Sequence, residues 1–400
     1  MGQADTNAAL AGSMGDAESR ARAAVAGAKT LVIKIGSAVL APGENPGLDG
    51  VMVERIAHGV AAAVALGRRI VLVSSGAVAC GRERIAPGRS PKTIVEKQAA
   101  AAVGQAGLIA AWSAALQAAG AGPAGQVLVT AEDLEDRRRF LNARRTLEAL
   151  LASGIVPVIN ENDSVAFDEI RLGDNDTLAA RVAGLVDAEG LIVLSIADGV
   201  RADHGVGDVV PVVHDPAREA PALLGDAVSA VGTGGMATKL EAASLAARFG
   251  CPTVIASGRE DGVLGRVLSG GRVGTAIPAG DARAPALRKK WLASARSPQG
   301  TLLVDVGAER ALVERGASLL PVGLRDVRGE FERGSLVEIV GPHGDRLALG
   351  LSSYDAGDLH AICGRQAGDI EQVLGFRYCD EVVHRDDLVL TTSATREPPR

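Results

Sequence analysis

Aromatic side chains are scarce in this 400-residue chain: two Trp, two Tyr and five Phe, or 2% of the sequence. Four of them, Phe331, Tyr354, Phe376 and Tyr378, fall singly in the last hundred residues, without the stripe of rings on which nucleobases stack. That stretch also has no Lys. Its 11 Arg face 17 acidic residues and it carries the whole net charge of −6, the first 300 residues holding 31 charges of each sign. An acidic surface of this kind speaks against nucleic acid as a partner. Cysteine is equally sparse. Cys80, Cys251, Cys363 and Cys379 lie far apart with no CxxC pair, which argues against a zinc site or a disulfide framework and for a reducing compartment. No apolar segment reads as approaching the roughly 20 residues of a membrane span, and residues 1–28 lack the basic start and apolar core of a secretion signal. The expectation is a cytoplasmic protein with no membrane partner, with residues 1–28 and 391–400 as disordered tails.

What is present is globular in composition, 47% hydrophobic and 22% charged, and long enough for two folded units. Up to residue 260, apolar runs ("TLVIKIG", "RRIVLVSSG", "GQVLVT", "GIVPVIN", "GLIVLSI", "CPTVIASG") alternate with segments of helical periodicity such as "VMVERIAHGVAAAVALG", "EDLEDRRRFLNARRTLEALLASG" and "DTLAARVAGLVDA". Strands apolar on both faces, alternating with helices, predict a three-layer α/β/α sandwich around a mostly parallel sheet over residues 29–280. A linker over 281–300 follows. Residues 301–390 then read as short strands with Gly-rich turns, a small β-rich domain.

Open α/β sheets bind ligands at the carboxyl ends of their strands, and polar residues cluster there. Gly36 and Ser37 follow the first run, Ser74, Ser75 and Gly76 the second, and Asn160 to Asp163 the fourth, with Asn175 and Asp176 shortly after. Lys34 lies inside an apolar strand, where an ammonium needs a partner and an anionic ligand could supply one. "GTGGMATKL", residues 232–240, offers backbone amides, a helix start and Lys239 to phosphates. It is not a Walker A loop. A dinucleotide fingerprint, formally met by Gly232, Gly234 and Ala237, lacks a convincing preceding strand, because "DAVSAV" is a poor one. Six scattered His give no Ser/His/Asp arrangement. Two lysines, glycine loops and a carboxylate and amide cluster on one sheet edge point to phosphoryl transfer, which depends on charge neutralisation more than on covalent help.

In order and spacing, "VIKIGSAVL", "VLVSSGAVACGRERI", "KQAAAAVGQAGLI", "DRRRFLNARRTLEALL", "VPVINENDSV", "LGDNDTLAA" and "GTGGMATKLEAA" resemble the glutamate 5-kinases of the amino-acid kinase family. "GASLLPVGLRDVRGEFERGSLVEIV" with "GLSSY" is similar to a PUA domain. The resemblance implies ATP-dependent phosphorylation of the side-chain carboxylate of L-glutamate, with Mg²⁺ carried by the nucleotide. By matched motif, Lys34, Lys239 and Asp176 would be catalytic and Ser75, Asp163 and Asn175 would bind glutamate. Lys34, Gly36, Ser195, Ile196, Thr233, Gly234, Gly235, Met236, Ala237, Thr238 and Lys239 would line the ATP. It further implies a homo-oligomer, dimer or tetramer, and feedback by proline. The alternatives are an RNA-binding regulator acting through the PUA-like domain, or a kinase for another acid. One departure stands out: the family's Thr-Asp after the fifth strand is Ser195-Ile196 here, and Asp198 could compensate from two positions on.

Overall fold

The structure is a computed structural model and describes residues 16–42, 47–165, 174–225, 235–279 and 298–391. The chain divides into two compact units, 1–284 and 285–400. In the first, residues 16–27 (α1) precede β1 (Thr30–Ile35), α2 (Ser37–Leu40), α3 (Gly50–Ala65), β2 (Arg69–Ser74), α4 (Ala77–Ile85), α5 (Ile94–Ala119) and β3 (Ala124–Val129). Then come α6 (Ala131–Glu135), α7 (Arg137–Ala152), β4 (Val156–Glu161), α8 (Asp174–Leu185), β5 (Gly190–Ser195) and α9 (Pro216–Leu224). The unit closes with α10 (Met236–Arg248), β6 (Thr253–Ser257), α11 (Val263–Leu268) and β7 (Thr275–Ile277).

The seven strands are ordered β3-β4-β2-β1-β5-β6-β7. All pairings are parallel except β6 with β7. Strand alternation explains the two cores. Leu31, Ile33 and Ile35 of β1 pack with Met52 and Ile56 of α3 and Leu108 and Trp112 of α5. Val32 faces the other way, among Leu178 and Val182 of α8 and Leu240 and Ala243 of α10. Lys34 falls on the Val32 side by the same two-residue period, so its ammonium is delivered toward α8 and α10. This is the expected three-layer sandwich.

Several expectations need correction. Residues 16–27, expected in a disordered extension, are helical and anchored. Arg22 is buried, ion-pairs with buried Glu18 at 2.8 Å, and donates to the carbonyls of Val273 at 2.6 Å, Gly274 at 2.9 Å and Pro211 at 3.2 Å. A guanidinium satisfies several carbonyls at once, and the extension reads as polar only because its partners lie some 250 residues away. Residues 1–15, the linker from 280 to 297 and the tail from 392 lie outside the described residues. The single helix read over 132–154 is two, because Asp136 ends α6 and caps α7 by accepting from the Arg139 amide at 2.9 Å.

One segment is apolar for longer than the sequence reading allowed. The 26-residue α5 is long and apolar enough, by length and composition, to cross a membrane. It is instead a core helix, with Leu108, Trp112 and Leu116 fully buried under the sheet. Thr93 and Glu96 form its capping box and Gly120 its left-handed end. It crosses α4 backbone to backbone: a Cβ on Gly104 would lie 1.9 Å from the Ala77 carbonyl oxygen, and one on Gly81 2.0 Å from that of Ala100. Backbone cannot yield as a side chain does. Gly104→Ala is therefore expected to lower stability by about 2–3 kcal/mol, seen as a drop of roughly 5–10 °C in calorimetric melting temperature. An unchanged melting temperature would mean that the helices part freely.

The second unit holds a five-stranded sheet, β12-β11-β10-β8-β9, from β8 (Gly300–Val304), β9 (Leu324–Arg328), β10 (Leu336–Val340), β11 (Arg346–Leu351) and β12 (Leu388–Leu390). Its aromatics are not isolated. Tyr354 and Tyr378 stand 5.6 Å apart between ring centroids, Phe376 and Tyr378 4.8 Å, and Arg333 lies 3.8 Å over the Tyr378 ring. The buried Tyr354 hydroxyl accepts from the amides of Tyr378 and Cys379. The cluster thus fastens a loop, a contact between residues 24 apart that no local spacing announces.

Candidate functional site

Because β4, β2, β1 and β5 are consecutive in the sheet, the polar residues at their carboxyl ends gather at one edge. Lys34 is the centre, with Val73 of β2 and Val193 of β5 beside it. Its Nζ lies 2.5 Å from Asp176 Oδ1, and Lys239 Nζ, from the first turn of α10, lies 3.1 Å from Asp176 Oδ2. Thr238 also donates to Oδ2, at 3.0 Å. All three charged groups are buried, and Asp176 is 0% exposed. Burial would raise the Asp176 carboxyl, but the two ammoniums outweigh it and hold it below the usual carboxylate range. Burial, offset by Asp176 and reinforced by the neighbouring Lys239 charge, leaves the Lys34 ammonium below the usual lysine range.

Two cations on one anion leave a local charge of about +1 in a low-dielectric pocket. Enclosed and bonded to the two lysines and Thr238, this anion fixes where the ammoniums point. Gly36 adjoins this group: a Cβ there would lie in ordinary contact with Lys34 Nζ, at 3.6 Å. Its amide, expected to face an anion, instead donates to the Leu194 carbonyl at 3.1 Å.

On the β2 and β4 side, Asn175 Nδ2 donates to Ser75 Oγ at 2.9 Å and to Asn160 Oδ1 at 3.1 Å. Asn160, 2% exposed, in turn donates from Nδ2 to Gln105 Oε1 at 3.0 Å. Trp112 Nε1 donates to Ser74 Oγ at 2.8 Å and thereby pins the strand end that carries Ser75. Asp163 is half-buried in the turn after β4. On the β5 side, Ser195 is buried and Ile196 is 52% exposed. Asp198, the residue that could replace the missing acid, is exposed and paired with Arg201, which donates to its two oxygens at 2.6 and 3.1 Å. Gly235 caps α10 with no side-chain cap, and Met236, Ala237 and Thr238 are half-buried in the first turn. Thr233 and Gly234 lie outside the described residues.

Sequence reasoning missed Gln105. The available signal was a polar side chain in the apolar run "AAAAVGQAGLIAAW" of α5, seven residues before Trp112 and on the same helix face.

The amino acid kinase family profile matches residues 29–257, and that of the PUA domain residues 300–374. The chain is 48% identical over 369 residues to the glutamate 5-kinase of Trichlorobacter lovleyi, covering 91% of this chain and 97% of that one. It is 47% identical over 377 residues to the glutamate 5-kinase of Thermus thermophilus, covering 92% and 98%. Among solved structures, a UMP kinase from Bacillus anthracis aligns with a TM-score of 0.46 at 18% identity, over 64% of this chain and 97% of that chain.

Proposed function

The chain belongs to the amino acid kinase family, among its glutamate 5-kinases, and on that premise we propose that Lys34, Asp176 and Lys239 carry its phosphoryl transfer. The reaction is the ATP-dependent phosphorylation of the side-chain carboxylate of L-glutamate, the first step of proline biosynthesis. The observation that carries the assignment is the buried pair of ammoniums, Lys34 on the central strand and Lys239 on α10, held by the one carboxylate of Asp176 on α8.

Strand order supplies the layout. Ser75, Asn175 and Asp163 follow β2 and β4 and take glutamate. Ser195, Ile196 and the start of α10 take ATP on the β5 side, and Thr233 and Gly234 are assigned to ATP from the sequence motif alone. Lys34 on β1 lies between them. A glutamate side chain has a pKa of about 4.3 and is ionised at neutral pH, so the nucleophile needs no base. What opposes reaction is the approach of an anion to a polyanion. Lys34 and Lys239 neutralise charge on the transferred group, and a fixed environment does so without the reorganisation that water requires. Magnesium enters with the ATP phosphates as part of that substrate. Its chemistry is to neutralise phosphate charge alongside the lysines.

Asp163, an anion at the glutamate side, pairs with the substrate ammonium. Asp163→Ala is expected to raise the KM for glutamate about tenfold or more, with the KM for MgATP unchanged. The assay traps the acyl phosphate with hydroxylamine as a hydroxamate. Equal shifts in both KM values would remove Asp163 from the glutamate side, and absence of glutamate-dependent hydroxamate from the wild type would defeat the whole assignment. We assign the enzyme to the cytoplasm as a homo-oligomer, dimer or tetramer, with proline as feedback inhibitor, as the family likeness implies. An RNA-binding regulator without catalysis is not favoured, since such a protein would have no use for two buried lysines around Asp176.

A further inference from the structure

Gln105 lies on α5, outside the strand ends that hold the substrate, and its hydrogen bonds lead into them. Its Oε1 accepts from Asn160 Nδ2 at 3.0 Å, Asn160 Oδ1 accepts from Asn175 Nδ2 at 3.1 Å, and the same Asn175 nitrogen reaches Ser75 Oγ at 2.9 Å. The direction of this chain has a chemical consequence. An amide nitrogen has two hydrogens, and Asn175 uses both inside the protein. Its Oδ1 is buried and has no hydrogen-bond partner among the described residues, and a buried acceptor without a donor is costly. Ser75 Oγ is an acceptor in the same chain, which leaves its own proton to donate.

We propose that Gln105 is a positioning residue which, through Asn160, fixes the amide orientation of Asn175 and so sorts the two charged groups at the α-carbon of glutamate. Asn175 Oδ1 accepts from the ammonium. Ser75 donates to the α-carboxylate. This extends the reading under which Ser75, Asp163 and Asn175 bind glutamate and rests on it.

A reversed chain, with all three amides flipped, would satisfy the same heavy atoms. It would make Gln105 the donor and turn the Asn175 nitrogen toward the ligand, which would then receive a carboxylate instead. Gln105 offers both an oxygen and a nitrogen, so the two directions are separated by replacing it with a side chain that can only accept. Gln105 is half-buried, and leucine keeps much of its bulk without the acceptor, so the replacement tests the hydrogen bond more than the packing.

The experiment measures kcat and KM for glutamate, glutarate and MgATP with the full chain, comparing wild type, Gln105→Leu and Gln105→Glu. Glutarate is glutamate without its ammonium. With Gln105→Leu the KM for glutamate is expected to rise about tenfold, the KM for MgATP to stay, and the preference for glutamate over glutarate to shrink by a similar factor. Gln105→Glu offers only acceptors, preserves the direction of the chain and should keep the wild-type KM and preference. A merely structural role for Gln105 would lower activity on both acids alike. Gln105→Leu with wild-type kinetics, or Gln105→Glu as impaired as Gln105→Leu, would overturn the proposal. A wild type that phosphorylates neither acid would overturn the underlying reading as well, and the wild-type control separates the two failures.

Discussion

Replacing Asp176 by Ala is expected to abolish measurable turnover and to destabilise the ligand-free protein by about 3–5 kcal/mol, the cost of leaving buried charges without their partner. Asp176 joins Lys34 and Lys239 at 2.5 and 3.1 Å, so its removal leaves two ammoniums in a pocket almost closed to water. Their mutual repulsion would move both from the positions that neutralise the transferred phosphoryl. Calorimetry with and without MgATP checks the physical cause. The nucleotide phosphates are anions at the same place, so MgATP should restore part of the lost melting temperature. Binding at 100 times Kd contributes about 2.7 kcal/mol in general, and the variant should gain more than the wild type does. A variant that melts like wild type, or one that MgATP stabilises no better than it does wild type, would show that the carboxylate is not what holds the lysines.

The same pair sets a pH dependence. The Asp176 carboxyl is lowered in the folded protein, so the unfolded chain binds its proton first as pH falls. Stability from this group is complete above the unfolded pKa and is lost as pH drops through the lower folded value. The Lys34 ammonium is also lowered. Between its folded and unfolded pKa values the unfolded chain again holds more protons, so this contribution to stability also rises with pH, at the alkaline end.

Lys34→Met is expected to separate chemistry from folding. Methionine has similar length and no charge, and Asp176 keeps Lys239 and Thr238 as partners. The fold should therefore persist, and burial already disfavours the ammonium that is removed. The kcat should fall by about 10²–10³, the usual loss when one fixed electrostatic donor is removed, while the KM for glutamate changes little. Hydroxamate formation under saturating substrates measures this directly. A kcat within tenfold of wild type would transfer the role to Lys239 alone.

Much of this was legible in the chain because it depends on local periodicity. The six parallel strands of the kinase domain reveal themselves by apolar runs of strand length, and their order of appearance with helices fixes the layered class. Lys34 was conspicuous because an ammonium inside "LVIKI" violates the rule for such a strand. The motifs around Ser75, Asn160, Asp176 and Lys239 carried the chemistry by resemblance. Other features were hidden for identifiable reasons. The helix over 16–27 read as part of a disordered tail because the acceptors of Arg22 are carbonyls of residues 211 to 274, and backbone acceptors have no sequence identity. Nothing in the sequence marks Gly104 as special; only the crossing with α4 puts a carbonyl against it. The pairing of Asp198 with Arg201 through both its oxygens was likewise not announced.

By itself, then, the sequence determined the layered kinase fold, the second small domain and the reaction class, since these follow from hydrophobic period, strand-end chemistry and motif order. Only the tertiary structure decided which atoms meet. Strand order brought β4, β2, β1 and β5 side by side, one buried carboxylate came to hold two lysines, and α5 delivered Gln105 to Asn160. Hydrogen bonds reach only about 3 Å and depend on direction, so contacts between residues 55 to 250 apart exist only once the chain has folded.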